Sequence, residues 1–331
     1  MTKKPRLLTI VLNWRTAEMT LRSVEAVRAA MSRLDGEIIV VDNDSQDGSF
    51  EAISAHVAKA GWDDVRVIQS GHNGGFGAGN NVGIRAGLSD GSRPDLVYVL
   101  NSDAFPAPDA VEVLEMYLRA HPQAGFAGSL IHGPRKDVHL TTFRFPSIAS
   151  EFEGAVRFGP ISRLLKSKAV PLPTPEHAGR VDWLAGASMM MRMDVLDKIG
   201  LFDETFFLYF EETDLCRRAA KAGFEVHFVP QSRVEHIGSV STGMKTWGRV
   251  PAYWFESRQY YFRKNHGRFY AHCATFAHVL GGALHRLRAK LSGKPPTDPP
   301  HFLRDLISHE LRSLRRPDPE SSKARALEGA S

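Results

Sequence analysis

At 331 residues the chain can hold one large α/β domain, or one domain with a helical appendage. Apolar residues make up 43% and charged residues 24%, the balance of a folded chain rather than a disordered one, and the net charge is +5. Two distant cysteines, Cys216 and Cys273, exclude a disulfide framework and a Cys-based zinc site, and no run nears the ~18 apolar residues of a membrane span or reads as a secretory signal.

The first 130 residues alternate short β-branched runs with helical patterns. Residues 7–12 (Leu-Leu-Thr-Ile-Val-Leu) read as a buried strand and 17–31 as an amphipathic helix. Residues 37–41 form a second strand ending at Asp42, 49–60 a helix, 65–69 a third strand, 79–88 a helix, and 96–100 a fourth strand ending at Asn101. Repeated βα units predict a mostly parallel, Rossmann-like sheet with helices on both faces. Ligands in such sheets bind beyond the carboxyl ends of the strands, where polar clusters stand at 42–47, 72–81 and 101–103.

Residues 143–180 lack a clean period, carry several prolines and read as a variable loop or a lid. A second ordered block begins at 181, with helices at 194–199 and up to 222 and a strand at 225–229. Residues 253–288 read as helical, and the run from Lys290 onward is rich in Pro, Ser and charge, with its last stretch mobile. There is no internal repeat. From Trp254 to the end there are 14 Lys/Arg against 7 Asp/Glu, while the first 253 residues are net −2. A basic tail suits lipid headgroups or nucleic acid, or is a solvated tail.

Each polar cluster has two readings. Asp42-Asn43-Asp44-Ser45-Gln46-Asp47 is a capped βα turn, or a set of acceptors for a base or ribose, with Ser45 and Asp47 able to cap the next helix. The segment from Asn73 through Gly75, Gly77, Gly79, Asn80 and Asn81 lets backbone N–H groups approach an anion. It fits neither the dinucleotide fingerprint, since Val82 stands where a third Gly belongs, nor a P-loop. Asn101-Ser102-Asp103 is a turn, or one carboxylate for a divalent cation completed by substrate phosphates. Glu211, Glu212 and Asp214 follow five apolar or aromatic residues. They favour a helix N-terminus, or make a general base whose pKa burial and mutual repulsion raise. His236 is a structural histidine or a metal ligand.

Taken in order, these segments resemble glycosyltransferase family 2, of the GT-A fold, in its rhamnosyltransferase-like branch. The resemblance spans about 7–267 and rests on Val-Val-Asp-Asn-Asp-Ser-Gln-Asp-Gly-Ser from Val40, 73–83, Leu-Asn-Ser-Asp from Leu100, Trp-Leu-Ala-Gly-Ala from Trp183, 206–215, and 234–239. It implies a GT-A catalytic domain over 1–250, with a nucleotide-sugar half at about 1–130 and an acceptor and base half at about 181–250, and a basic helical extension over 251–331. It further implies donor contacts from Asp42, Asn43, Asp47, Asn73, Gly75, Asn80, Asn81, Asn101 and Ser102. Asp103 and His236 would hold Mg²⁺ or Mn²⁺. Trp183, Gly186 and Ala187 would line the acceptor side, and Glu212 would be the base, with Glu211 and Asp214 as alternates. Asn101 stands where many relatives have Asp, and Glu211-Glu212 where relatives often have Glu-Asp.

The implied reaction is inverting transfer of a sugar, first L-rhamnose from dTDP-L-rhamnose, to a glycan or polyprenyl-diphosphate-linked acceptor in cell-surface polysaccharide synthesis. A sugar nucleotidyltransferase lacks its Gly-rich, Arg-containing opening here, because Leu12-Asn13-Trp14-Arg15 follows the first strand. A non-catalytic carbohydrate-binding protein on the same fold is the other alternative. The expected place is the cytoplasm, peripheral on the inner face of the membrane; nucleic acid is not an expected partner. Phe276, Leu280, Leu284, Leu287 and Leu291 recur at helical spacing beside His285, Arg286, Arg288 and Lys290. They make either an interfacial helix against anionic membrane or a helix packed on the catalytic domain.

Overall fold

A computed structural model describes residues 4–238, 248–293, 295 and 298–315. Ser239 of the last motif and the tail expected to be mobile, 316–331, lie outside the described residues. In chain order the elements are β1 (Arg6–Asn13), α1 (Ala17–Met31), β2 (Asp35–Asp42), α2 (Ser49–Ala60), β3 (Val65–Gln69), α3 (Gly75–Ala86), β4 (Leu96–Asn101), β5 (Ala104–Pro106), α4 (Ala110–Ala120), β6 (Ala124–His132) and β7 (Thr142–Phe143). They continue with α5 (Ile148–Val156), α6 (Gly159–Leu164), β8 (Gly179–Val181), β9 (Trp183–Leu184), β10 (Ser188–Arg192), α7 (Met193–Ile199), α8 (Glu211–Lys221), β11 (Glu225–His236), α9 (Ala252–His266), α10 (Arg268–Leu291) and α11 (Phe302–Arg315). Two compact units result, residues 1–145 with 170–246, and residues 146–169 with 247–331.

The first unit is built on one sheet of order β3-β2-β1-β4-β10-β6-β11-β5, with β8 also paired to β11. Its β3-β2-β1-β4 half is parallel, as the βα repeats predict, and β10 enters antiparallel between β4 and β6. Alternate residues of β1 feed two cores. Leu7 and Val11 pack with Val24 and Val27 of α1 and Leu114 of α4, whereas Leu8 and Ile10 pack with Ile84 of α3 and Leu215 of α8. Each fully buried side chain of this kind contributes roughly 1.5–3 kcal/mol of transfer free energy.

Strand β11 runs through Pro230, which lacks an N–H. Its register on β6 shifts between Val229 and Arg233, and the strand then continues to His236. Its first half pairs β8 and its last three residues pair β5, which begins directly after Asp103.

The second unit is helical. Part of the segment expected to be a loop or lid forms α5 and α6 instead. Ser147 and Ser150 close a reciprocal capping box at the start of α5, a local signal that an aperiodic apolar pattern hides. Glu151 of α5 takes Arg258 of α9 at 2.7 Å and His278 of α10 at 2.7 Å, and Arg258 also donates to Thr275 Oγ1 at 3.1 Å. These charge-assisted bonds tie three helices around a nearly buried guanidinium. Val250, Phe255, Phe302, Leu303 and Leu306 form the unit's apolar cluster.

Candidate active site

The polar strand ends of the first unit converge. At the end of β2, Asp42 is buried and fully engaged, with Oδ1 accepting from Asn13 Nδ2 (2.7 Å) and Ser45 Oγ (2.6 Å) and Oδ2 from Ser45 N (3.1 Å). Asn43 Nδ2 donates to Asn73 Oδ1 (3.0 Å) and Gly75 O (3.2 Å), joining this turn to the Gly-rich segment. Exposed Asp47 accepts from Ser49 N at 3.1 Å, and its hydrogen bonds with Ser49 lower its pKa. Ser45 caps no helix. It braces the turn between Asp42 and the Asn13–Arg15 corner, accepting also from Arg15 N at 2.9 Å.

The Gly-rich segment is the start of α3 itself. Asn73 Oδ1 takes the N–H of Gly75 at 3.0 Å, and Phe207 O takes that of Phe76 at 3.1 Å. With both donors spent inside the protein, this helix end offers neither to a phosphate. The glycines serve close packing: a Cβ at Gly75, whose φ is +88°, would lie 1.7 Å from Phe207 O, and one at Gly79 would lie 2.4 Å from Leu12 Cδ1. Asn80 Nδ2 turns back to Phe76 O (2.9 Å), and Asn81 exchanges bonds with the Phe202 backbone and donates to Glu204 (2.8 Å). Asn81 and the Phe76 N–H together pin the 202–207 loop.

The end of β4 meets the end of β11. His236 Nε2 lies 3.0 Å from Asp103 Oδ1 and 3.3 Å from Asn101 Nδ2, and Gly238 N donates to Asp103 Oδ2 at 3.1 Å. Burial by itself would raise the Asp103 pKa. The His236 hydrogen bond and charge, with the Gly238 N–H, outweigh it and hold the carboxyl below its ordinary value. Ser102 Oγ accepts from Thr16 Oγ1 at 3.1 Å. Among the described residues no cluster of three or more His, Cys, Asp or Glu side chains forms a metal cage. One ionised carboxylate with an imidazole and an amide beside it is nonetheless a donor set that fits a hard cation completed by substrate oxygens and water.

From this corner a backbone link leads to the acidic cluster. Asn101 N donates to Ala187 O at 3.1 Å, and Gly186 N donates to Glu212 Oε1 at 3.1 Å. Trp183 stacks on Phe143 with centroids 4.2 Å apart and gives its indole N–H to Arg144 O at 2.9 Å. Helix α8 starts at Glu211, so all three carboxylates sit in its first turn, near the positive end of its dipole. The helix is entered through Tyr209 and Phe210, both at φ +69°, a left-handed conformation costly for aromatic residues and frequent at functional sites.

The three carboxylates differ in environment. Asp214 is fully buried and paired with Arg218 Nε at 2.9 Å, and that guanidinium also holds the carbonyls of Ile199, Gly200 and Leu201. Asp214 is therefore a structural ion pair. Glu211 is buried with Oε2 lacking any hydrogen-bond partner, and burial, then the neighbouring Glu212 charge, push its pKa well above the ordinary value. Glu212 is half-buried, and burial raises its pKa too, although the Gly186 N–H works against the rise. Of the three it is the carboxylate with an exposed portion, a bound backbone donor and a pKa moved toward the working range of a base. The site also contains residues that sequence reasoning passed over. Buried Asn13 supports Asp42, and His139 packs its ring edge-on against His236 at 6.2 Å. Asn13 directly follows a predicted strand, a position that does signal a site.

A family model described as Glycosyltransferase like family 2 matches residues 5–267. The chain is 30% identical over 221 residues to the N-acetylglucosaminyl-diphospho-decaprenol L-rhamnosyltransferase of Mycobacterium tuberculosis, covering 62% of this chain and 68% of that protein. It is 31% identical to the low-salt glycan biosynthesis hexosyltransferase Agl10 of Haloferax volcanii (62% and 61% covered), and 28% identical to rhamnosyltransferase WbbL of Escherichia coli (49% and 60%). Among solved structures it resembles GalNAc-T7 with UDP, GalNAc and Mn²⁺ (TM-score 0.57, 14% identity, 94% of this chain and 55% of that one). It also resembles the mannosyltransferase PcManGT of Pyrobaculum calidifontis with GDP-Man and Mn²⁺ (TM-score 0.52, 16% identity, 95% and 88%). The fold is the expected GT-A fold.

Proposed function

The chain belongs to the glycosyltransferase-like family 2, and from that premise we propose that it is an inverting glycosyltransferase in which Glu212 is the general base. The observation that carries this reading is the contrast among the three carboxylates, which leaves Glu212 half-buried on the Gly186 N–H with a raised pKa. Glu212 takes the proton of the acceptor hydroxyl as that oxygen forms a bond to the anomeric carbon. The bond from that carbon to the diphosphate breaks, its electron pair leaves with the nucleoside diphosphate, and one displacement inverts the centre. The 206–210 loop and Gly186 fix where the base stands, and Asn101 ties that position to the strand end where the diphosphate is placed.

Asp103 and His236 would hold Mg²⁺ or Mn²⁺, which offsets charge on the departing diphosphate. The turn at Asp42, Asn43 and Asp47, backed by Asn13, Asn73, Gly75, Asn80 and Asn81, forms the wall against which the nucleotide lies. Trp183 backs the acceptor side, with Gly186 and Ala187 beside it. The favoured donor is dTDP-L-rhamnose and the favoured acceptor a polyprenyl-diphosphate-linked saccharide of cell-surface polysaccharide synthesis; the mycobacterial relative's name carries L-rhamnose and a diphospho-decaprenol acceptor, and the Escherichia coli relative's name carries rhamnosyl transfer. Peripheral contact with anionic membrane on the cytoplasmic side belongs to the same reading, as does a division into a catalytic domain over 1–250 and a basic extension beyond it. Purified protein incubated with a panel of nucleoside-diphosphate sugars, lipid-linked acceptors and Mn²⁺ or Mg²⁺ should release nucleoside diphosphate only with donor and acceptor together. Release that needs no acceptor, or none across the panel, overturns the assignment.

A further inference from the structure

Helix α10 is built inside out. Its buried side carries small residues, among them Ala271, Ala274, Gly281, Gly282 and Ala289. A Cβ at Gly281 would lie 2.8 Å from Phe152 O of α5, and one at Gly282 would lie 2.8 Å from Leu303 of α11, so close packing fixes which face turns inward. The large apolar residues are outward. Phe269 is 83% exposed, Phe276 68%, Leu280 43%, Leu284 42%, Leu287 55% and Leu291 80%. At roughly 100° per residue they fall on a single stripe about 33 Å long. Beside it, Ile148, Ala149 and Phe152 of α5 face Cys273, Phe276 and Leu280 across an almost wholly apolar groove of about 610 Å³. A helix that has already buried one face against its own unit, yet keeps this stripe in the open, has a second apolar medium to meet.

The charge on the unit says which. Residues 146–169 with 247–331 hold 19 Lys/Arg against 9 Asp/Glu, net +10, whereas the remainder of the chain holds 23 against 28, net −5. A second copy facing this stripe would set +10 against +10; anionic headgroups offset the charge instead. Among the described residues no helix is long and apolar enough to cross a membrane, so α10 would lie along the interface rather than span it. We infer that the exposed stripe of α10, with the α5–α10 groove beside it, is a docking face for an anionic bilayer. Phe276, Leu284 and Leu287 enter the acyl boundary, and Lys290 with the basic surplus of the unit meets the headgroups. The inference rests on the lipid-linked acceptor proposed above, but the binding itself is measurable without catalysis.

The test is co-flotation of the full chain with phosphatidylcholine vesicles, with and without phosphatidylglycerol. The protein should float with the anionic vesicles, float less as salt rises, and stay behind with the neutral ones. The triple variant Phe276→Ser, Leu284→Ser, Leu287→Ser should weaken flotation about tenfold or more while leaving transfer to a short water-soluble acceptor unchanged. Should the triple variant melt early, the single variant Leu291→Ser carries the same comparison, and Lys290→Glu should weaken flotation without altering the apolar stripe. Equal flotation of wild type and stripe variants overturns the inference, as does no flotation with anionic vesicles. A concentration-dependent dimer lost in the variants while flotation persists would assign the stripe to a second copy instead. Flotation without nucleoside diphosphate release would leave this face intact and refute the reaction.

Discussion

Gly186→Ala should move the base without disturbing the fold. Gly186 lies outside the left-handed region, so alanine meets no backbone strain there. Its Cβ, however, would stand 2.9 Å from Glu212 Oε1, 3.0 Å from Glu212 Cγ and 3.0 Å from Phe76 Cε1, whereas ordinary contact begins at 3.4 Å. The carboxylate must therefore retreat by about half an ångström, lengthening its 3.1 Å bond from the Gly186 N–H. Misplacement of a reacting group by about 1 Å costs on the order of a hundredfold, so half of that predicts about a tenfold fall in kcat, or about 1.4 kcal/mol of activation free energy. The overpacking falls on two side chains and on no backbone atom, so stability should drop by only about 1 kcal/mol. Initial rates of nucleoside diphosphate release, at saturating donor and acceptor, would show the fall with donor KM held within about twofold, and a thermal melt would show the small shift. A kcat within twofold of wild type would refute the claim that Gly186 sets the position of the base. A large rise in donor KM would place its role in donor binding instead.

Four further substitutions test the rest of the structure. Glu212→Gln should lower kcat by about a thousandfold with donor binding retained. Because the base must be ionised and its pKa is raised, wild-type activity should be lost as pH falls through a midpoint above 4.5, a limb absent from the variant's residual rate. Glu211→Gln separates the neighbours. A carboxyl whose folded pKa is raised destabilises the fold as pH rises, so the amide should leave the melting temperature at pH 7 unchanged or higher, and a sharp fall would show that Glu211 is held as an anion. Asp103→Asn should raise the Mn²⁺ concentration needed for half-maximal rate by at least about tenfold, and an unchanged metal titration counts against that ligand. Glu151 is held at a pKa of about 2 against an ordinary 4.5, so its contribution to the helical unit is fully present above 4.5 and is lost as pH falls toward 2. Glu151→Gln leaves the Arg258 guanidinium without its carboxylate and should destabilise the unit by about 3–5 kcal/mol at pH 7, read as loss of helical signal in a denaturant melt.

Much of the parallel half of the sheet is legible from residue order alone. β-Branched runs bounded by polar residues locate β1 to β4, and the rule that ligands sit beyond strand ends makes Asp42, Asn101 and Asp103 candidates from the sequence alone. What escapes is whatever depends on a distant partner. Sequence shows that residues 74–83 are rich in glycine but not that Leu12 and the Phe207 carbonyl occupy the space of the missing side chains, so the packing role of these glycines is not visible in it. Pro230 makes β11 look finished at Val229, because a register shift that absorbs a proline is a property of the pair of strands and not of either one. The acidic cluster shows the limit most sharply. Glu211, Glu212 and Asp214 occupy one turn, and the helical rotation of about 100° per residue must send them in different directions. That divergence follows from the sequence once the helix start is known. Which direction meets the Gly186 N–H, which meets Arg218 and which buries an oxygen without a hydrogen-bond partner is decided by β10, the 199–201 carbonyls and α3, and those three surroundings separate three equal candidates into the proposed base, an ion pair and a buried carboxyl with a raised pKa.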